Sequence, residues 1–474
     1  MKTWVCLEKY RYMQYICVFI ATILQASVSM TSTWISPVLP QLTSDDTPLE
    51  APLTKAEESW LVSGEKLGAV IGCILAAFLT DRIGRKRMLL VAAIPTFISM
   101  MSSAFNKKVI VLIILRIITG ISSGVSFVVL PLYIGEVSEK DIRGRLSVAQ
   151  VILSTIGSVY AYSVGPFISF TVFSITCSMF PLLFIFLFAF MPETPYHLVK
   201  KGNSESALKS IKQLSRKDLS EDAIHLRLQE IKDFVHRDVE NKIYLKDLIL
   251  NRIYRKAFLI VLTIRCLLGL SGLHVISSYL QKIIQSSGSS VSPELSSVIF
   301  GVIKLPSALL AAFLVDRFGR RPLLIVSTIG CAATLLAEGV YFYLQETIDV
   351  SDIAWLPTTG LSLYLLSVYF GIDVLPTLVV GEIFTVNVKS LASACVACIG
   401  FALSFVLLQL FKPLSDAIGV YAMFWFFGGC CILGCLFGIF ILPETKGKSF
   451  SEIQEMLDSN KKNDSVCLKP VKTK

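Results

Sequence analysis

The chain has 474 residues, 54% of them hydrophobic and 17% charged, with a mean hydropathy of +0.67. Soluble domains carry about 25% charged residues, so the composition excludes a soluble globular chain and makes lipid the solvent for much of its length. The net charge of +9 does not point to nucleic acid, because the basic residues stand in short clusters between apolar runs, a pattern that marks one side of a membrane.

Twelve apolar runs of spanning length follow in order, near residues 13–36, 59–80, 88–105, 109–133, 146–168, 170–191, 257–281, 293–315, 323–344, 354–380, 390–412 and 419–442. The first follows Lys2, Lys9 and Arg11. It is too long for the core of a signal peptide and reads as an uncleaved span with a cytoplasmic N-terminus. Later loops agree. Arg82, Arg85, Lys86 and Arg87 share one loop, Lys140, Arg143 and Arg145 a second, and Arg317, Arg320 and Arg321 a third. The first loop on the opposite side holds Asp45, Asp46, Glu50, Glu57 and Glu58 against Lys55, and the segment from Gln345 to Trp355 has no Lys or Arg. An even number of spans returns the C-terminus to the cytoplasm.

The expected fold class is therefore an all-α membrane protein of about twelve transmembrane helices in two six-helix halves. The N-terminal half covers residues 1–192, a cytoplasmic linker 193–256, the C-terminal half 257–445 and a cytoplasmic tail 446–474. In the linker, Ser220 is placed to cap a helix with Glu221 and Asp222 in its first turn, and Ile224, Leu228, Ile231 and Val235 recur at helical spacing. Most of the 12 cysteines fall inside apolar runs. Cys395 and Cys398 form a CxxC without a second ligand pair, so they read as small packing residues rather than a metal or redox site.

An internal repeat is the strongest signal. Leu79-Thr-Asp-Arg-Ile-Gly-Arg-Lys recurs as Leu314-Val-Asp-Arg-Phe-Gly-Arg-Arg. Gly135-Glu136 followed by Arg143 recurs as Gly381-Glu382 followed by Lys389, and Pro192-Glu193-Thr194 recurs as Pro443-Glu444-Thr445. Two halves with parallel topology follow, with a solute site between them near the bilayer midplane. Gly84 and Gly319 suit the tight turn of a short loop. Arg85, Glu136, Arg143, Glu193, Arg320, Arg321, Glu382, Lys389 and Glu444 all fall at cytoplasmic helix ends. Basic residues there set topology, but carboxylates contribute little to it. The acidic members therefore point to a cytoplasmic gate of ion pairs that close and separate.

These motifs, with the Arg116…Gly120…Gly124 run and Pro443-Glu-Thr-Lys-Gly-Lys-Ser-Phe450, resemble the sugar-porter family of the major facilitator superfamily over nearly the whole chain. Trp34-Ile-Ser-Pro-Val-Leu-Pro40, Glu58-Ser-Trp60 and Gly381-Glu-Ile-Phe384 look most like the insect facilitated trehalose transporters. The resemblance implies alternating access, a hexose or disaccharide cargo and a plasma-membrane location. It also implies a sugar-binding fan of amides, and here the chain departs. The seventh-span Gln-Gln-x-Ser-Gly-x-Asn pattern reads Leu268-Gly-Leu-Ser-Gly-Leu-His274. Lys304, Thr377 and Gly400 replace the Asn, Trp and Asn of the eighth, tenth and eleventh spans, Gln150 lies one residue off the fifth-span Gln, and Tyr196 replaces an Arg.

Gln150, Ser271, His274, Tyr279, Lys304, Asp373 and Thr377 are the resulting substrate-binding candidates. A charge at the bilayer centre is costly and normally faces a cavity or a partner. Lys304, Asp373 and His274 are thus expected to cluster, with Lys304 paired to Asp373, and Arg265 and Glu338 are further members. No nucleotide loop, metal cluster or nucleophile triad is present, so the expectation is a carrier and not an enzyme, without cofactor, nucleic acid or obligate protein partner. Proton-coupled sugar porters usually carry an acid in the first span, and here that span has no Asp or Glu between Cys17 and Pro37, so the resemblance favours a uniporter indifferent to a proton gradient. The alternatives are a carrier of a charged or zwitterionic solute and a non-transporting sensor on the same fold.

Overall fold

Lipid offers no partner for an open backbone N–H or C=O, so a chain of this composition closes its hydrogen bonds within helices. The computed structural model describes residues 12–215, 220–240, 248, 250–384, 386–448 and 450–457. Among those residues the regular structure is entirely helical, and eleven helical stretches are long and apolar enough to cross a membrane. The third run is a helix too, Arg85–Ser103. Its basic first turn and its proline and serines dilute its apolar character below that of the others. It packs between the fourth span, Val109–Val137, and the sixth, Phe170–Phe188, and so fills the third place in the first half. Phe78, Phe186, Phe190, Phe313 and Phe440 point outward, strongly exposed; lipid is the cover such a surface needs.

Three spans are interrupted. The first runs as Tyr12–Thr33 and Ile35–Thr43, meeting at Trp34. The seventh runs as Arg252–Leu270 and Leu273–Ser287, and the break falls at Gly272, whose φ of +84° is left-handed. The tenth runs as Leu356–Phe370 and Leu375–Ile383. The backbone groups freed at the last two breaks find partners. The Ser271 carbonyl accepts from the Tyr364 hydroxyl at 2.8 Å, and the Ile372 N–H donates to Ser327 Oγ at 3.1 Å. These breaks put His274 at the start of a half-helix and Asp373 inside a gap between two.

In the first half the second span, Lys55–Ile83, and the fourth lie closest. A Cβ on Gly68, Gly72, Gly120 or Gly124 would come 2.0–2.1 Å from a carbonyl oxygen of the facing helix, the close approach that small residues permit in membranes. The halves meet mainly where the second span packs on the eleventh, Val386–Ile418, and the fifth, Lys140–Val164, on the eighth, Pro293–Phe318. The linker forms helices Pro195–Lys200, Ser204–Leu214 and Glu221–Glu240. They bury Ala207, Ile211, Ile224, Leu228 and Ile231 in a core of their own, with Val235 packed against it. Ser220 Oγ accepts from the Ala223 N–H at 3.3 Å, the cap its position foreshadows. Arg227 pairs with Glu139 at 2.7 Å and ties the linker to the start of the fifth span.

Candidate transport site

On the linker side the repeated residues assemble into two matching networks. In the first half, Arg85 donates through Nε to Glu136 at 3.0 Å and through Nη1 reaches Asp81 at 3.1 Å. Thr194 donates its hydroxyl to the other Glu136 oxygen at 2.6 Å. Both oxygens of Glu193 accept from the Lys86 N–H, at 3.0 and 3.2 Å, at the start of the third span. In the second half, Arg320 grips both oxygens of Glu382 at 2.5 and 3.2 Å. Thr445 donates to Glu382 at 2.5 Å, and Glu444 accepts from the N–H groups of Arg320 and Arg321, each at 3.0 Å. Glu193 and Glu444 thus each cover the N-terminal N–H groups of a membrane helix, where a carboxylate also meets the positive end of the helix dipole.

The glycines of the repeat fit the same plan. Gly84 and Gly319 have φ of +105° and +90°. A Cβ on either would stand 2.4 Å from Glu193 or 2.7 Å from Glu444, so a side chain is barred by backbone and carboxylate together. Burial raises the Glu444 carboxyl, but the N–H groups of Arg320, Lys446 and Arg321 outweigh it and hold the group below its usual range. His197 Nδ1 accepts from Arg85 at 3.3 Å. Burial, helped by the Arg85 charge and against the pull of Glu193, lowers the His197 imidazole below its usual value.

Both networks lie inside their own halves. Arg321 spends its guanidinium on the carbonyls of Gly438, at 3.1 Å, and Ile439. Arg143 donates to the Ser138 carbonyl at 3.3 Å. The side chain of Lys389 lies outside the described residues.

The bonds that join the halves gather on the far side. Lys55 meets Asp416 at 2.7 Å and Lys282 meets Glu58 at 2.8 Å. Ser63 donates to Gln409 at 2.7 Å, Tyr162 donates to the Ser277 carbonyl at 3.0 Å, and Trp60 lies against Phe405. Nearer mid-span, Ala69 and Cys73 pack on Ala397, Cys398 and Phe401. Toward the linker the seam opens. Val151 lies two turns from Ser158 on the same face of the fifth span and is exposed. Gly144, two turns further, faces open space.

The substrate candidates scatter over this seam. Ser271 turns its hydroxyl to the Leu268 carbonyl at 2.8 Å and is buried. Tyr279 is buried against Phe411, ring centroids 4.9 Å apart, near the far-side pairs. Gln150 is half-buried and Thr377 exposed. Lys304 does not close an ion pair with Asp373. It donates to Ser158 of the other half at 2.9 Å and lies over the Tyr369 ring at 5.0 Å. Asp373 acts on Lys304 and Arg265 through space. The Arg265 guanidinium lies to one side of the edge-on Phe127–Phe401 ring pair, 5.3 and 5.2 Å from their centroids. His274 stands among Lys66, Arg265 and Lys304. Glu338 is apart from them, enclosed against Gly360 of the tenth span.

A second charged group, none of it among the residues expected to bind substrate, stands in the first half. Glu65 holds Lys66 at 3.1 Å and Arg116 at 3.2 Å. Lys66 also donates to Ser32 at 2.9 Å, and Arg116 to the carbonyls of Thr31 and Leu61 at 2.7 and 3.4 Å. The signal was present in the sequence as adjacent charges inside the second apolar run.

Comparison with known proteins agrees with this geometry. The facilitated trehalose transporter Tret1 of Bombyx mori is 32% identical over 94% of this chain and 87% of its own length. The facilitated trehalose transporter Tret1-2 homolog of Drosophila simulans is 30% identical over 91% of this chain and 88% of its own. In fold, the xylose transporter XylE from E. coli, in a partially occluded inward open conformation, superposes with a TM-score of 0.75 at 22% identity, covering 91% of this chain and all of that one. A family model described as sugar (and other) transporter matches residues 14–457, and the chain belongs to that family.

Proposed function

We propose that the protein is a carrier, not an enzyme, that moves a hydroxylated solute of the sugar class across the membrane by facilitated diffusion. The observation that carries this reading is the seam between the halves, bonded on the far side and open beside Val151 and Gly144 on the linker side. Two repeated halves that meet along such a seam can rock about a midplane site. The relatives' names supply the sugar class. The linker side is taken as cytoplasmic because the Lys and Arg clusters gather there, which puts both termini in the cytoplasm, and the plasma membrane is the proposed location. Arg85, Glu136 and Glu193, with Arg320, Arg321, Glu382 and Glu444, act as clasps that keep the cytoplasmic helix ends of each half rigid while the halves move. Arg143 and Lys389 are the cations of the matching loops.

The test is uptake by the purified protein in liposomes, with labelled trehalose, glucose and their acidic derivatives. Saturable exchange with no imposed ion gradient is expected. Absence of saturable exchange for every one of these solutes contradicts the reading.

A further inference from the structure

A rocking carrier closes over its cargo before it opens to the other side, so the charge lining its cavity has to be balanced in the closed state. In the first half, Lys66 and Arg116 share the single carboxylate of Glu65. In the second, the single carboxylate of Asp373 acts on both Lys304 and Arg265 without an ion pair to either. Each half sets two cations against one anion. The carboxylates acting on these four cations are Glu65 and Asp373, and His274 adds no negative charge.

The surplus is not idle in geometry. The three fixed bonds of Arg116 leave it a structural part of the first half. The guanidinium of Arg265 donates to no described side chain or carbonyl, and it lies beside an edge-on pair of rings, one from each half, at 5.3 and 5.2 Å. Cation–π contact holds a guanidinium without using its N–H donors, and a free N–H fork can receive a carboxylate or phosphate in bidentate fashion. Lys304 has used one of its donors, on Ser158. Lys66 reaches the same space from the other half, close enough to act on Lys304 and His274.

We propose that the cargo is an anion, a sugar-class solute bearing a carboxylate or a phosphate, held by Arg265 and Lys304 of one half with Lys66 of the other facing it. This rests on the carrier reading above and narrows it. A neutral sugar leaves the surplus charge unbalanced when water is expelled, whereas an anion binds the closed state better than the open one, and only such a difference shifts the equilibrium. The same argument makes the empty carrier slow to reorient, so exchange outruns net flux. Loss of the amides at Leu268, Gly269 and His274 fits a site that grips charge more than hydroxyls.

The experiment uses the full-length protein in liposomes with four labelled probes: D-glucuronate, D-glucose 6-phosphate, D-glucose and trehalose. At least one anion should exchange ten times faster than either neutral sugar, exchange should exceed net uptake at least fivefold, and an interior-positive potential should speed net anion entry. Which anion responds separates a carboxylate from a phosphate. Lys304→Gln should lower anion exchange tenfold or more, and Lys304→Arg should restore part of it. Neutral sugars carried as fast as the anions overturn the inference and leave the sugar carrier standing. No exchange of any probe overturns both, and wild-type anion exchange in Lys304→Gln removes the assigned site.

Discussion

The linker-side ends of the two halves carry the same bonds at matching residues, but the midplane does not. Arg85 with Glu136 and Thr194 is repeated as Arg320 with Glu382 and Thr445, and Glu193 and Glu444 each cover a helix start. At the midplane the first half closes its charges on Glu65, whereas the second leaves Arg265, Lys304 and Asp373 apart. What repeats serves the architecture, and what differs is free to serve the cargo. The substitutions that follow break that contrast or sharpen it.

The largest loss is expected where a closed group is opened. Arg116→Ala strands Glu65 without its second cation in a buried site, a change that costs about 3–5 kcal/mol. Thermal unfolding of the detergent-purified variant should show it, with a matching drop in abundance. Lys304→Gln should cost far less stability, since Lys304 closes no ion pair. Equal losses for the two would erase the distinction between a structural triad and an open cluster.

The matching clasps should fail alike. Arg85→Ala and Arg320→Ala are each expected to lower uptake per molecule at the surface by about tenfold, the equivalent of about 1.4 kcal/mol. A variant of one half that transports normally would show that the repeat is kept in sequence without being used. The far-side pairs are more modest. Lys55 is 76% exposed, and such pairs contribute about 0.2–1 kcal/mol. Glu58→Gln is the better probe, because Glu58 is buried at the seam. It should weaken the state seen here and reduce labelling of a cysteine introduced as Val151→Cys.

The smallest effect is a pH dependence confined to one half. The His197 imidazole accepts from Arg85 and is neutral. Its value is lowered from the usual 6.5, so its contribution is complete above 6.5 and is lost as pH falls through the lower value of the folded protein. Protonation puts a cation beside Arg85, with Glu193, Lys201 and Asp81 also acting on it. Transport should decline on acidification of the linker side, and His197→Gln should flatten that decline. The second half has Lys448 at the matching position and offers no such titration.

The span pattern, the repeat and the Ser220 cap were legible because each rests on residues near one another in sequence. Hydrophobic periodicity and turn chemistry act over a few residues. The partners of the repeated charges were harder to read. Charge and order predicted pairing but not the partners, and the clasp joins Arg85 to Glu136 within one half. Lys282 and Glu58 are 224 residues apart, and nothing local marks them as partners. The expected ion pair of Lys304 with Asp373 failed for a similar reason. Ser158, 146 residues away in the other half, takes the Lys304 ammonium, and the break in the tenth span sets the position of Asp373. A charge in a span announces that it needs a partner or a cavity, but tertiary packing chooses which.

The central claim is that the halves move as rigid bodies about a seam now closed on the far side. Lys55→Cys with Asp416→Cys, joined by a short bifunctional thiol reagent in cysteine-reduced protein, tests it directly. Exchange in liposomes should stop on cross-linking and return when a reducible linker is cleaved. Undiminished exchange by the fully cross-linked protein would show that the far side need not open, and would contradict the account.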